Sequence, residues 1–220
     1  MDDDLRRHHE RNGRVKEFGT DNIIDFKGGS PGGDLFTGVG THYDNANAKD
    51  AVYTEKFGAG KAATTVKTGT KTTLLTWIDR ISIAADSMRD LHPGINDQFP
   101  RPRKLNQPAL LARGRADFLA SAPYEADFII YGSFPADFRD QLKTACDDFE
   151  TATAAQGTEI DERVAANAEV ENEVEQANRD VRLLDGIVRS KYYGNPGKLA
   201  AWASASHAES APKKKKPPTP

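Results

Sequence analysis

The sequence has little of what secreted, membrane and zinc-binding domains use to hold their structure. It contains one cysteine, Cys146, so no disulfide can form within the chain. Its five histidines are scattered rather than spaced as zinc ligands. The apolar runs are only a few residues long, whereas a membrane-spanning helix needs about 20. We therefore expect no internal disulfide, no structural zinc and no membrane span, and Cys146 is predicted to be a small core residue rather than a surface thiol.

A secretion signal is also not evident. The chain opens with Met1-Asp2-Asp3-Asp4, which is acidic and has no apolar segment behind it, whereas a signal peptide is basic and then apolar. The expected location is therefore cytoplasmic. The 220 residues, of which 37% are hydrophobic and 29% charged, suffice for one large or two small globular domains.

Apolar residues recur at helical spacing along most of the chain. The clearest series has steps of three and four residues and comprises Leu74, Trp77, Ile81, Ala84, Met88 and Leu91. Side chains at these steps share one face of a helix, and that face is expected to be buried. We predict an all-α fold, an antiparallel bundle of four to five long helices with a short N-terminal helix and a disordered C-terminal tail.

Glycine and proline divide the chain in this prediction. Residues 1–30 read as a weak helix and a Gly-rich linker, 31–207 as the helical bundle, and 208–220 as a disordered Pro/Lys tail. Within the bundle, Gly58-Ala59-Gly60 predicts a turn between two helices that run to Phe57 and over 61–91.

Shorter helices are predicted on both sides of a central linker and at the C-terminal end. Asn106 and Pro108 are expected to start a helix that Pro123 divides and Gly132 ends. Lys198–Ser206 is predicted to be amphipathic and to dock through Leu199 and Trp202.

The region from about 135 to 191 allows two topologies. Gly157-Thr158, followed by acidic residues, is typical of a helix end and a new N-terminus, which favours a hairpin. The eight-residue step from Ala152 to Ile160 keeps the apolar stripe nearly in phase, which suits one continuous helix. We expect the hairpin and leave the continuous helix as the alternative.

Several segments resemble one protein family. Leu183–Lys191 (LLDGIVRSK), Asn195–Trp202 (NPGKLAAW) and Ala205–Glu209 (ASHAE) look like the C-terminal end of a family of uncharacterised bacterial proteins of about this length. Phe18-Gly19-Thr20 and the linker Phe99–Arg103 are similar to it as well. The resemblance implies a bacterial origin and an all-helical fold, and it transfers no activity, cofactor or site residue.

Motifs that carry catalysis or metal binding are incomplete. No Glu-x-x-His pair, the hallmark of helical dimetal centres, is present. The segment from Gly58 to Ala62 lacks the first glycine and the hydroxyl residue of a phosphate-binding loop. Ser204, Ser206, His207 and Glu209 lie close in sequence, but near a chain end that is not expected to form a rigid pocket. We predict no catalytic residue, no cofactor and no metal, so an enzyme is not the expected class.

One polar pair falls on an apolar stripe. His42 and Asp50 are two helical turns apart and can face inward together. A buried or flanking polar pair is the preferred interpretation, and a metal or acid–base role is the alternative.

The charge distribution bears on possible partners. Residues 137–175 carry 12 acids against three bases, a surface that should repel nucleic acid. The basic tail, with Lys213, Lys214, Lys215 and Lys216, could instead contact phosphate or other anions, and a solvated extension is the alternative.

These patterns predict a non-enzymatic structural or protein-interaction module that associates with itself or with another protein. The candidate interface is a seam of Val170, Val174 and Val181, bordered by glutamates, unless these valines face the bundle interior. The alternative function is a nucleic-acid-associated accessory protein that uses the basic tail.

Overall fold

The computed structural model describes residues 3–209, and every regular element in that range is helical. The all-α prediction is therefore confirmed for the described part of the chain. No helix within it is long and apolar enough to cross a membrane. The α-helices of this range are α1 (Asp3–Asp21), α2 (Pro31–Ser87), α3 (Ile95–Gln98), α4 (Gln107–Ala120), α5 (Glu125–Gly132), α6 (Phe138–Lys191) and α7 (Pro196–Ser206).

The chain divides into two compact units, each with its own apolar core. Unit 1 is formed from Met1–Lys56 and Glu162–Pro220, and unit 2 is Phe57–Asp161. The boundaries predicted at residues 30 and 207 do not separate these units. Val15 and Phe18 of α1, which belong to the segment predicted as a weak helix and linker, lie in the core of unit 1.

The two longest helices continue where the sequence predicted breaks. α2 runs through Gly58-Ala59-Gly60 and α6 runs through Gly157, so the predicted turn and the expected hairpin are both wrong. None of these glycines has a positive φ. The hydroxyl of Thr158 donates to the carbonyl of Ala154 at 3.3 Å, a bond within one helix. Glycine permits a helix end without requiring one, because helical φ and ψ are open to it as well.

The core of unit 2 contains most of the predicted α2 stripe. Leu74, Trp77, Ile81, Ala84 and Met88 are buried, as predicted. Leu91 is instead half exposed, because α2 ends at Ser87 and the helical spacing no longer holds beyond it. Cys146 is buried in the same core, and burial raises the pKa of its thiol to about 11.

The predicted ends of the shorter helices agree with the structure. The side chain of Asn106 accepts a hydrogen bond from the amide of Ala109 at 3.0 Å and caps α4. Pro123 lies in a short 3₁₀ turn between α4 and α5, and α5 ends at Gly132. At Gly114, α4 passes so close to its neighbours that an added Cβ would lie 2.7 Å from Sγ of Cys146.

The core of unit 1 joins α1, α7 and parts of α2 and α6 around a cluster of aromatic rings. Trp202 of α7 is fully buried there, as predicted, and its Nε1 donates to Oδ1 of Asp185 at 2.8 Å. The remaining rings of this cluster are Phe18, Phe26, Phe36 and Tyr192.

Ion pairs fix the register of α2 and α6 in unit 1. Lys49 and Lys56 of α2 lie 3.0 and 2.6 Å from Glu169 and Glu162 of α6, respectively. The order of these partners shows that the two helices run antiparallel in this unit. Part of the acidic run in α6 is therefore neutralised by bases of the same chain.

Replacing Gly157 with alanine should raise the free energy of unfolding by about 1 kcal/mol, because alanine is the better helix former and its Cβ would meet no atom within 4 Å. Chemical denaturation measures the change. Gly33→Ala is the contrasting variant, since its Cβ would lie 2.1 Å from the carbonyl oxygen of Lys27 and should destabilise the protein. Destabilisation by Gly157→Ala would contradict a continuous α6.

Candidate functional sites

The residues proposed as an interface are buried inside unit 1. Val170, Val174 and Val181 are 1%, 1% and 4% exposed, so they form no exposed seam and instead face the interior, as the alternative stated. The other predicted contact residues, Lys213 to Lys216, lie outside the described residues.

His42 faces inward, and its polar contact comes from α6. Its Nδ1 lies 2.7 Å from Oε2 of Glu173, and Nζ of Lys49 lies 3.6 Å from the other carboxylate oxygen. The hydrogen bond to His42 is the main cause that holds the pKa of Glu173 below its usual value, with Lys49 adding to the effect and burial opposing it. Sequence reasoning could not supply this partner, because it lies 131 residues away along the chain.

A cluster of arginines lies where α1 meets α6 in unit 1. Arg11 is buried, and its guanidinium donates to the side-chain oxygens of Asn12 and Asn178. Arg182 donates to the backbone carbonyl of Asn178 at 3.2 Å, and Arg14 to that of His207 at 2.6 Å. All of these acceptors are amide or carbonyl oxygens, so these contacts leave the positive charge of the three guanidinium groups unneutralised.

The positive charges of this cluster act on one another. Burial is the main cause that lowers the pKa of Arg11, and the positive charges of Arg182 and Arg14 lower it further. The sequence signal for this cluster is the spacing of Arg7, Arg11 and Arg14, which places three bases along one face of α1.

A polar cleft of about 600 Å³ adjoins this cluster. His8 of α1 and Asn178 and Arg182 of α6 line one part of it, together with Arg179. Carboxylates line it as well: Glu171 and Glu175 precede Asn178 on α6, and Oδ2 of Asp4 lies 3.9 Å from Nε2 of His8. The cleft therefore has cationic and anionic portions along the same helix.

The chain matches no protein-family model, no curated protein and no solved structure. Functional inference therefore depends on the geometry of the described residues. Among residues 3–209, no three His, Cys, Asp or Glu side chains are grouped in a way that could hold a metal ion.

Unit 2 contains a buried ion pair within α4. Asp117 is 1% exposed, and its Oδ1 lies 2.8 Å from Nε of Arg113, four residues earlier. Burial raises the pKa of Asp117 to about 6, although Arg113 opposes the shift. This carboxylate lies in a closely packed helix rather than in a cleft, so its role is in stability.

Unit 2 also has an exposed apolar surface at the end of α2. Ile83 and Ser87 are one helical turn apart on α2, and Leu91 lies in the turn that follows the end of this helix. Tyr131 of α5 lines a groove of about 340 Å³ with Ser87 and Leu91. Ile83, Leu91 and Tyr131 are 49%, 50% and 57% exposed. We call Ile83, Ser87, Leu91 and Tyr131 the α2–α5 patch.

Proposed function

We propose that the chain is a non-enzymatic structural or protein-interaction module of the cytoplasm, built from antiparallel helical bundles, and that it associates with a second copy through the α2–α5 patch. The observation that carries this proposal is a groove of unit 2 lined by the exposed side chains of Leu91 and Tyr131, with Ile83 exposed one helical turn before Ser87. Burying such a surface against a partner removes apolar area from water at a gain of roughly 25 cal/mol per Å².

The charges that border the patch favour a second copy as the partner. Arg89 and Asp90 are both largely exposed and lie 3.7 Å apart, and Asp86 lies 3.6 Å from Arg101. In a twofold interface the same surface of both copies meets, so a charged side chain on one copy faces charged side chains of the same patch on the other. The contact is favourable only if that patch carries charges of both signs close together. A rim with alternating signs meets that requirement, whereas a rim of one sign would repel its copy.

Light scattering on the full chain over a range of concentrations tests this proposal. The wild-type mass should rise with concentration towards that of a dimer. Tyr131→Asp should hold the mass at that of one chain, because it removes the ring and adds a second carboxylate to a groove that Asp90 already lines, and both would have to be desolvated on association. Circular dichroism should show unchanged helicity, since Tyr131 is exposed.

Leu183→Asp is the matched control, because Leu183 is 60% exposed in unit 1 and does not line the groove. It should leave the concentration dependence of the mass unchanged. A wild-type chain that stays monomeric at all concentrations would overturn self-association. Equal loss of association in both variants would show that the α2–α5 patch is not the contact.

A further inference from the structure

We propose that the cleft of unit 1 binds a small oxyanion, a phosphate or a carboxylate group, at the portion lined by Asn178 and Arg182. This site lies in a different unit from the α2–α5 patch and does not depend on the proposed self-association. A buried cation without a carboxylate partner and two donor side chains that line the cleft support it.

Arg11 carries a buried charge. The residue is 8% exposed, and no carboxylate among residues 3–209 lies within ion-pair distance of its guanidinium. Buried charges in proteins are normally paired, because removing an ion from water costs several kcal/mol. The neighbouring Arg182 and Arg14 add to the positive potential instead of offsetting it. An anion in the adjoining cleft would supply the missing negative charge.

The side-chain amide of Asn178 has a defined orientation. Its Oδ1 accepts hydrogen bonds from Nη2 of Arg11 and, at 3.3 Å, from Nδ2 of Asn12. Two donors at one oxygen determine which end of the amide is the carbonyl. The opposite end, the NH₂ group, has no acceptor among the described residues, and Asn178 lines the cleft. It is therefore a donor available to a ligand there.

Arg182 supplies the cationic group at the same place. It is anchored through its Nε to the carbonyl of Asn178, which leaves its terminal NH₂ groups for a ligand in the cleft that it lines. An arginine fork of this kind matches the geometry of an oxyanion.

The carboxylates of the cleft limit the size and charge of the ligand. Glu175 and Arg182 are seven residues apart on α6, about 10 Å along the axis, and Glu171 is a further turn away. A polyanion such as nucleic acid would extend over Asp4, Glu171 and Glu175 and be repelled. A single oxyanion, on a small molecule, can lie at the arginine portion alone.

Isothermal titration calorimetry of the full chain with inorganic phosphate, at constant ionic strength, tests the proposal, and a parallel titration with acetate separates phosphate from carboxylate. At least one of the two should bind with measurable heat. Arg182→Gln should weaken binding about tenfold, the effect of one charged hydrogen bond. Arg189→Gln is the matched control, because it removes the same charge from an exposed position of α6 that does not line the cleft.

Asn178→Asp tests whether Arg11 lacks a counter-ion, with a change in stability as the readout in addition to ligand affinity. It places a carboxylate against Arg11 without changing side-chain size, so it should raise the melting temperature and abolish anion binding. Absence of heat with both anions would overturn the proposal. Equal weakening by Arg182→Gln and Arg189→Gln would also overturn it, since binding would then follow net charge only. Asn178→Asp that melts lower than the wild type would show that Arg11 needs no counter-ion.

Discussion

Replacing Leu74 with alanine should lower the free energy of unfolding by about 2–5 kcal/mol. Leu74 is fully buried in the core of unit 2, and its Cδ1 lies against the position where α4 carries Gly114. Removing the side chain leaves a cavity among helices that are already in close contact and can collapse only in part. Urea denaturation followed by circular dichroism measures the change.

Val66→Ala is the matched control for this prediction. Val66 lies on the same helix and is 58% exposed, so the substitution should change stability by no more than about 0.5 kcal/mol. If Leu74→Ala unfolded at the same urea concentration as the wild type, Leu74 would not belong to the core, and the packing described for unit 2 would be incorrect.

The second large effect is a pH dependence that originates at Asp117. Burial raises the pKa of this carboxyl from 3.8 to about 6, so between these values the folded protein holds a proton that the unfolded chain has released. The protonated carboxyl therefore stabilises the folded state most below about pH 4. This stabilisation falls as the pH rises from about 4 to about 6 and is lost above pH 6. The loss amounts to about 3 kcal/mol, since each pKa unit corresponds to about 1.4 kcal/mol.

Comparison with Asp117→Asn isolates this contribution, because asparagine cannot titrate. The free energies of unfolding of both proteins are measured at pH 4 and pH 7. The free energy of unfolding of the wild type minus that of the variant should fall by up to about 3 kcal/mol from pH 4 to pH 7. Asp90→Asn, which removes an exposed carboxylate, should give a nearly constant difference. A constant difference for Asp117→Asn as well would show that Asp117 is ionised in the folded protein throughout this range.

Local patterns in the sequence predicted much of the secondary structure and part of the core. The series from Leu74 to Met88, the cap at Asn106 and the break at Pro123 all depend on interactions within a few residues, and each agrees with the structure. The same holds for Trp202, whose spacing on a short amphipathic helix predicted its burial.

The candidate sites could not be predicted in the same way. The sequence placed His42 beside Asp50, whereas the structure pairs it with Glu173. It left Val174 between a possible interface and the bundle interior, and the structure buries it in unit 1. These outcomes depend on which helices pack together and in which register. The helical spacing within one sequence does not determine either property.

Helical spacing, caps and prolines thus determined by themselves that the chain is all-α and which faces of its helices are apolar, because those properties arise within a turn or two of helix. Only the tertiary structure decided that α2 and α6 continue through Gly58 and Gly157, because glycine is compatible with both a helix and a turn and packing selects between them. It alone also brought Arg11 to Asn178, 167 residues away, since contacts at that separation form only when the helices have packed.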